Sequence, residues 1–139
     1  MATPSDRRPV RLYLLLVVAV VSAIAVHVLL IPRNFPDNFT LALPAIVLGW
    51  GSFTLIFYAA GRLFVPKRDL PNMRGADLGI GLFVFSLLIS GILDSMGVTV
   101  DAVFEAHVLP AVGMYVGLAL IGWALGQRTE TINRIARRE

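Results

Sequence analysis

The side chains of this chain that could do chemistry together are few, and they fall near the ends of long apolar runs. His27 and His107 are its 2 histidines, with the carboxylates Asp94 and Glu105 at the same ends of the apolar runs. Two imidazoles at like depth on adjacent helices would ligate a haem iron, or would hold a divalent metal together with Asp94 or Glu105. The spacing limits that idea. Glu105 and His107 lie two apart, so on one helix they point to different faces. The competing reading puts each ring at headgroup level, with water or a backbone carbonyl as partner, and leaves the protein without a cofactor.

A second set consists of hydroxyls within the apolar runs: Ser22, Ser52, Thr54, Ser86, Ser90 and Tyr115. Ser86 and Ser90 share a helix face by their four-residue spacing. Hydroxyls at that depth bond back to their own helix or across to a neighbour, which makes them packing groups; the alternative is a polar path through a small channel. The centres of the runs hold no Asp, Glu, Lys, Arg or His. That counts against a proton-coupled pump, because intramembrane ionisable groups mark ion and proton pathways.

A third set is glycine. Gly113, Gly117, Gly122 and Gly126 form two small-xxx-small pairs on the last apolar run. Such pairs let helix backbones touch, either within the chain, against the first or third helix, or against a partner. No nucleophile and base arrangement, phosphate loop or HExxH-like motif is present, so an enzyme is not expected.

The elements that carry these residues are set by composition. The 139 residues are 57% hydrophobic and 15% charged, with a mean hydropathy of +0.78. Soluble domains are about half apolar and a quarter charged, so the partner this composition demands is a lipid bilayer. Cys is 0, which removes disulfides, thiolate metal sites and cysteine palmitoylation. A net charge of +3 would suggest nucleic acid in a soluble protein. Here the basic residues flank apolar spans and serve as membrane anchors, and no nucleic-acid partner is expected.

The pattern predicts one domain, residues 1–139, made of a four-transmembrane-helix bundle with spans over 12–31, 41–63, 78–94 and 104–125. A span of about 20 residues rises about 30 Å, the thickness of the hydrocarbon core. Pro32 should stop the first span; Asn38 or Thr40 should cap the second and Asp77 the third. Ala23-Ile24-Ala25 has the form of a signal-peptidase site, but the apolar run continues to Ile31, which favours a span. Asn38-Phe39-Thr40 is a glycosylation sequon too close to the bilayer to be an expected target. Trp50 falls at mid-span, where its indole needs a partner on another helix.

Between the second and third spans lies a basic hinge loop, 64–77, containing Lys67, Arg68 and Arg74. Arg7, Arg8, Arg11, Arg62, Arg128, Arg134, Arg137 and Arg138 fall on the same side as that loop, and Arg33 on the other. The positive-inside rule then predicts two helical hairpins with both termini cytoplasmic, in the cell membrane. The basic tail, 126–139, should continue as helix along the inner headgroups. Leu43-Pro44-Ala45, Gly51 and Arg62 recur at one constant offset as Leu109-Pro110-Ala111, Gly117 and Arg128, which points to a parallel repeat or to chance.

A glutamate inside the first span would make the chain resemble the small multidrug exporters; this span has no acidic residue, and the resemblance fails. The leading expectation is an accessory or structural membrane subunit, or helix-interaction module, that forms a homo-oligomer or joins a larger membrane complex. The alternatives are an oligomeric channel or carrier, with Ser52, Thr54, Ser86, Ser90 and Tyr115 lining its path and the Arg62 to Arg74 loop at its mouth, and an outer haem or metal module built on His27 and His107.

Overall fold

A computed structural model of the chain describes residues 7–35, 37–65 and 71–137. Lys67, Arg68, Asp69 and Arg138, assigned above to the hinge loop and tail, lie outside the described residues. The chain is all-helical across the described residues, and 4 helices are long and apolar enough to cross a membrane.

Helix α1 (Arg7–Ala25) runs into a five-residue π-helical stretch, Val26–Leu30, and then into a short helix α2 (Ile31–Asn34). The first span therefore passes Pro32 instead of stopping there. Proline lacks an N–H and its ring crowds the carbonyl four residues back, so an ordinary turn at this point would be strained. The wider π turn, in which the Ile31 N–H reaches the Val26 carbonyl, absorbs that crowding.

Helix α3 (Phe39–Leu63) is capped by Asn38, whose side-chain oxygen accepts from the Leu41 N–H at 3.2 Å. Helix α4 (Arg74–Ser95) starts a turn earlier than expected: its N-cap is Met73, and Asp77 sits in its first turn. An acidic group there favours the positive end of the helix dipole, which is the other way an aspartate helps a helix start. Helix α4 ends in a Schellman turn. Gly97 takes φ +83°, and the Val98 N–H reaches back to the Leu93 carbonyl at 3.0 Å.

Helix α5 (Phe104–Ile135) is continuous for 32 residues. At 1.5 Å per residue it is about 48 Å long, well beyond the hydrocarbon core, so most of the expected tail is the end of this one helix.

Packing centres on α3 and α5. Helix α1 rests on α3, and α4 rests on α5; the backbones of α1 and α5 do not meet. The buried apolar residues are almost all small: Ala19, Ala23, Val26, Ala42, Ala45, Ala59, Ala76 and Ala124, with Met114 the largest. Large side chains such as Leu14, Val17, Phe85, Leu88 and Ile92 lie outside. Water would tolerate such a surface poorly, whereas lipid tails are as apolar as leucine and favour it. Helix adhesion then comes from backbone proximity rather than from a core of large side chains. The proposed repeat is matched in environment only in part: Leu43 and Leu109 are both exposed and Arg62 and Arg128 both half-buried, but Pro44 and Gly51 are exposed while Pro110 and Gly117 are buried.

Candidate functional site

The glycines of α5 divide between two neighbours. At Gly117 an added Cβ would lie 2.6 Å from the Gly79 carbonyl of α4, and at Gly79 it would lie 2.6 Å from that of Gly117. Gly113 faces the Ser86 hydroxyl on α4. Gly122 and Gly126 face the Thr54 and Tyr58 carbonyls of α3, and Gly61 of α3 meets the Trp123 carbonyl in return. The stripe thus serves the chain's own second and third spans. The first span, considered above as a candidate neighbour, does not touch it.

The histidines do not face each other. His27 lies in the π turn of the first span, over Gly49 of α3. Its Nδ1–H donates to the Ala23 carbonyl at 2.7 Å, since a carbonyl can only accept. Its Nε2 is then the acceptor for the Tyr115 hydroxyl of α5, and the two rings lie 5.5 Å apart at 57°. Phe53 of α3 stands edge-on to the Tyr115 ring at 4.9 Å, so the pair bridges α1 and α5 across α3.

His107 is buried, 6% exposed, and bonds elsewhere. Its Nε2–H donates to the Val98 carbonyl at 2.7 Å, and its Nδ1 accepts from the Ser90 hydroxyl at 2.9 Å. The Schellman turn at Gly97 presents that carbonyl, so the ring ties the α4–α5 connection to both helices. Both nitrogens of both rings are engaged in this way. Asp94 and Glu105 are exposed, and no group of three or more His, Asp or Glu suited to a metal occurs among the described residues.

The hydroxyls follow the same economy. Ser52 donates to the Leu48 carbonyl and Thr54 to the Trp50 carbonyl, each at 2.8 Å along its own helix. Trp50 itself packs edge-on against Phe83 of α4, with ring centroids 5.2 Å apart.

At the opposite end of the helices lies a feature that the charge pattern alone could not locate. Glu130, on the extension of α5, accepts from Arg62 Nε and Nη2 at 3.2 and 3.0 Å and from Arg137 Nη2 at 3.2 Å. Arg62 also lies over the Tyr58 ring, 5.8 Å from its centroid. Arg134 Nη2 donates to the Val65 carbonyl at 3.3 Å. Arg62, Glu130, Arg134 and Arg137 line an open cavity of about 940 Å³ that Pro9, Arg11 and Leu12 of α1 border on another side. Part of its signal is in the sequence, where Glu130 is an acidic residue inside a basic helical tail, but neither the spacing to Arg137 nor the distant Arg62 marks its partners.

Comparison with known protein families, curated proteins and solved structures finds no match.

Proposed function

We propose that this protein is an accessory or structural subunit of the cell membrane, built of two helical hairpins with both termini cytoplasmic. One observation supports the structural reading above all. The glycines of α5 and the polar groups His27, Tyr115, His107, Ser90, Ser52 and Thr54 are spent on contacts inside the chain. Side chains used in this way make a scaffold. With the glycine stripe occupied, a partner would meet the outer faces of α1 and α4, each of which rests on a single long helix. The partner is a second copy or a larger membrane complex.

Gentle extraction into detergent followed by native mass measurement tests this. A defined oligomer or a co-purifying membrane protein is the expected result, and a solitary monomer at every concentration sinks the reading. Topology has its own test: a cysteine placed at Lys67 should react with a membrane-impermeant reagent only after cells are opened.

A small channel or carrier is the second reading, and one observation favours it. His27 and Tyr115 put a titratable ring and a phenol within the spans, where such groups often serve transport. Proton or solute flux into vesicles holding the pure protein, lost in Tyr115→Phe, would establish that activity. Flux equal to empty vesicles would end it.

A further inference from the structure

The geometry points to a binding site for a phosphate-bearing anion, in the first place the headgroup of an anionic phospholipid, in the cavity at the arginine end of the helices. This goes beyond the subunit reading and does not depend on it.

Among the described residues, the cavity wall carries the guanidinium groups of Arg11, Arg62 and Arg137, with Arg134 beside them, and one carboxylate, that of Glu130. Its volume of about 940 Å³ falls within the usual range for ligand sites. Glu130 does not exhaust the donors. Arg62 gives it Nε and Nη2, and Arg137 gives it Nη2, which leaves Nη1 of both and Nε of Arg137 outside the carboxylate's reach. Arg11 is exposed and makes no ion pair among the described residues. Planar guanidinium groups bind phosphate oxygens in pairs, so Arg11, Arg62 and Arg137, gathered round one cavity with donors left over, are suited to this ligand class.

Glu130 has a further role here. By fixing Arg62 from two nitrogens it holds a long side chain in one conformation, so less freedom is lost when an anion arrives.

The fold favours a lipid as the source of the phosphate. Helices α1 and α5 both flank α3 without backbone contact between them, and Leu12 and Leu63 add apolar wall beside the arginines. A headgroup there would keep its acyl chains on the apolar side. Basic pockets between membrane helices take anionic headgroups by this arrangement of charge above hydrocarbon.

The test uses the full chain in neutral detergent, with native mass spectra and thermal unfolding as readouts. The probes are phosphatidylglycerol, phosphatidylcholine and, as a soluble phosphate ester, glycerol phosphate. The expected result is retention of phosphatidylglycerol over phosphatidylcholine and a raised unfolding temperature. Arg11→Gln should weaken binding about fivefold, and Arg11→Gln with Arg137→Gln further, at the typical strength of one basic residue near an anionic surface. If glycerol phosphate stabilises as well as the lipid does, the anion site stands and its ligand is a soluble ester. Arg74→Gln is the control, since Arg74 is exposed and lies outside the cavity wall. The inference is overturned if neither anionic probe is preferred, if the cavity variants bind as tightly as the parent protein, or if Arg74→Gln loses as much as Arg11→Gln.

Discussion

Gly113 with Gly117 and Gly122 with Gly126 have the same spacing on the same helix, yet they do different work. The first pair meets α4, with a serine hydroxyl at one position and a glycine backbone at the other; the second pair meets two backbone carbonyls of α3. Spacing reveals that something approaches closely. It does not reveal whether that thing can move. A hydroxyl turns about one bond, whereas a carbonyl in mid-helix moves only if the helix moves with it.

The largest effects are therefore expected at Gly122 and Gly126, and at Gly117, where the obstacle is likewise a main-chain carbonyl. Gly122→Ala or Gly126→Ala places a methyl against a main-chain carbonyl of α3 and should cost about 1–3 kcal/mol each, read as denaturant-induced unfolding in detergent. Gly113→Ala asks that the Ser86 hydroxyl turn away and that its Cβ, 3.2 Å from the added methyl, give slightly, at about 0.5–1.5 kcal/mol. Adding Ser86→Ala should recover most of that loss, because it removes the group in the way. Equal costs at Gly113, Gly122 and Gly126 would show that the Ser86 contact is as rigid as the carbonyl contacts of α3.

The histidines sharpen the same contrast between what can adjust and what cannot. His107 is buried and holds two partners, so His107→Ala strands the Val98 carbonyl and the Ser90 hydroxyl, at about 1–3 kcal/mol. Tyr115→Phe removes one hydroxyl and keeps the ring against Phe53. A single side-chain hydrogen bond between membrane helices is worth about 0.6 kcal/mol on average, and the loss should be of that size. Hydrogen exchange at the Val98 amide should rise in His107→Ala and stay unchanged in Tyr115→Phe, since only the first variant loosens the connection.

These contrasts mark what the amino-acid pattern could and could not carry. Long apolar runs, charge at their ends and the Asn38 cap are local features, and they were legible. The helix end at Pro32 was misplaced because a π turn several residues earlier relieved the proline. The Asp77 cap was misplaced because acidic groups favour the whole first turn, not one position. The histidine partners were illegible for a different reason. Pairing His27 with His107 requires α1 and α5 to pack side by side, whereas α3 lies between their backbones and the long Tyr115 side chain reaches across the gap to His27. Helix order in space is a tertiary fact, and period and composition do not encode it. The Glu130 cluster was half legible: its charge reversal is plain in the tail, but its partner Arg62 lies 68 residues away.

The smallest expected effect has the opposite sign. Gly81 and Gly91 on α4 are exposed, and a Cβ added at either position would meet nothing within 4 Å. Neither residue has positive φ, so neither needs the freedom that glycine alone provides. Alanine there should keep every helix contact while lowering the entropy of the unfolded chain, and the gain is at most about 1 kcal/mol. Gly81→Ala should therefore raise the midpoint of unfolding slightly, where Gly122→Ala lowers it. A partner seated on the outer face of α4 would reverse this result in the assembled state alone. The comparison to make is the isolated chain in harsh detergent against the assembly in mild detergent: a loss seen only in the second would place the partner on the Gly81 face, and a gain in both would leave that face to lipid.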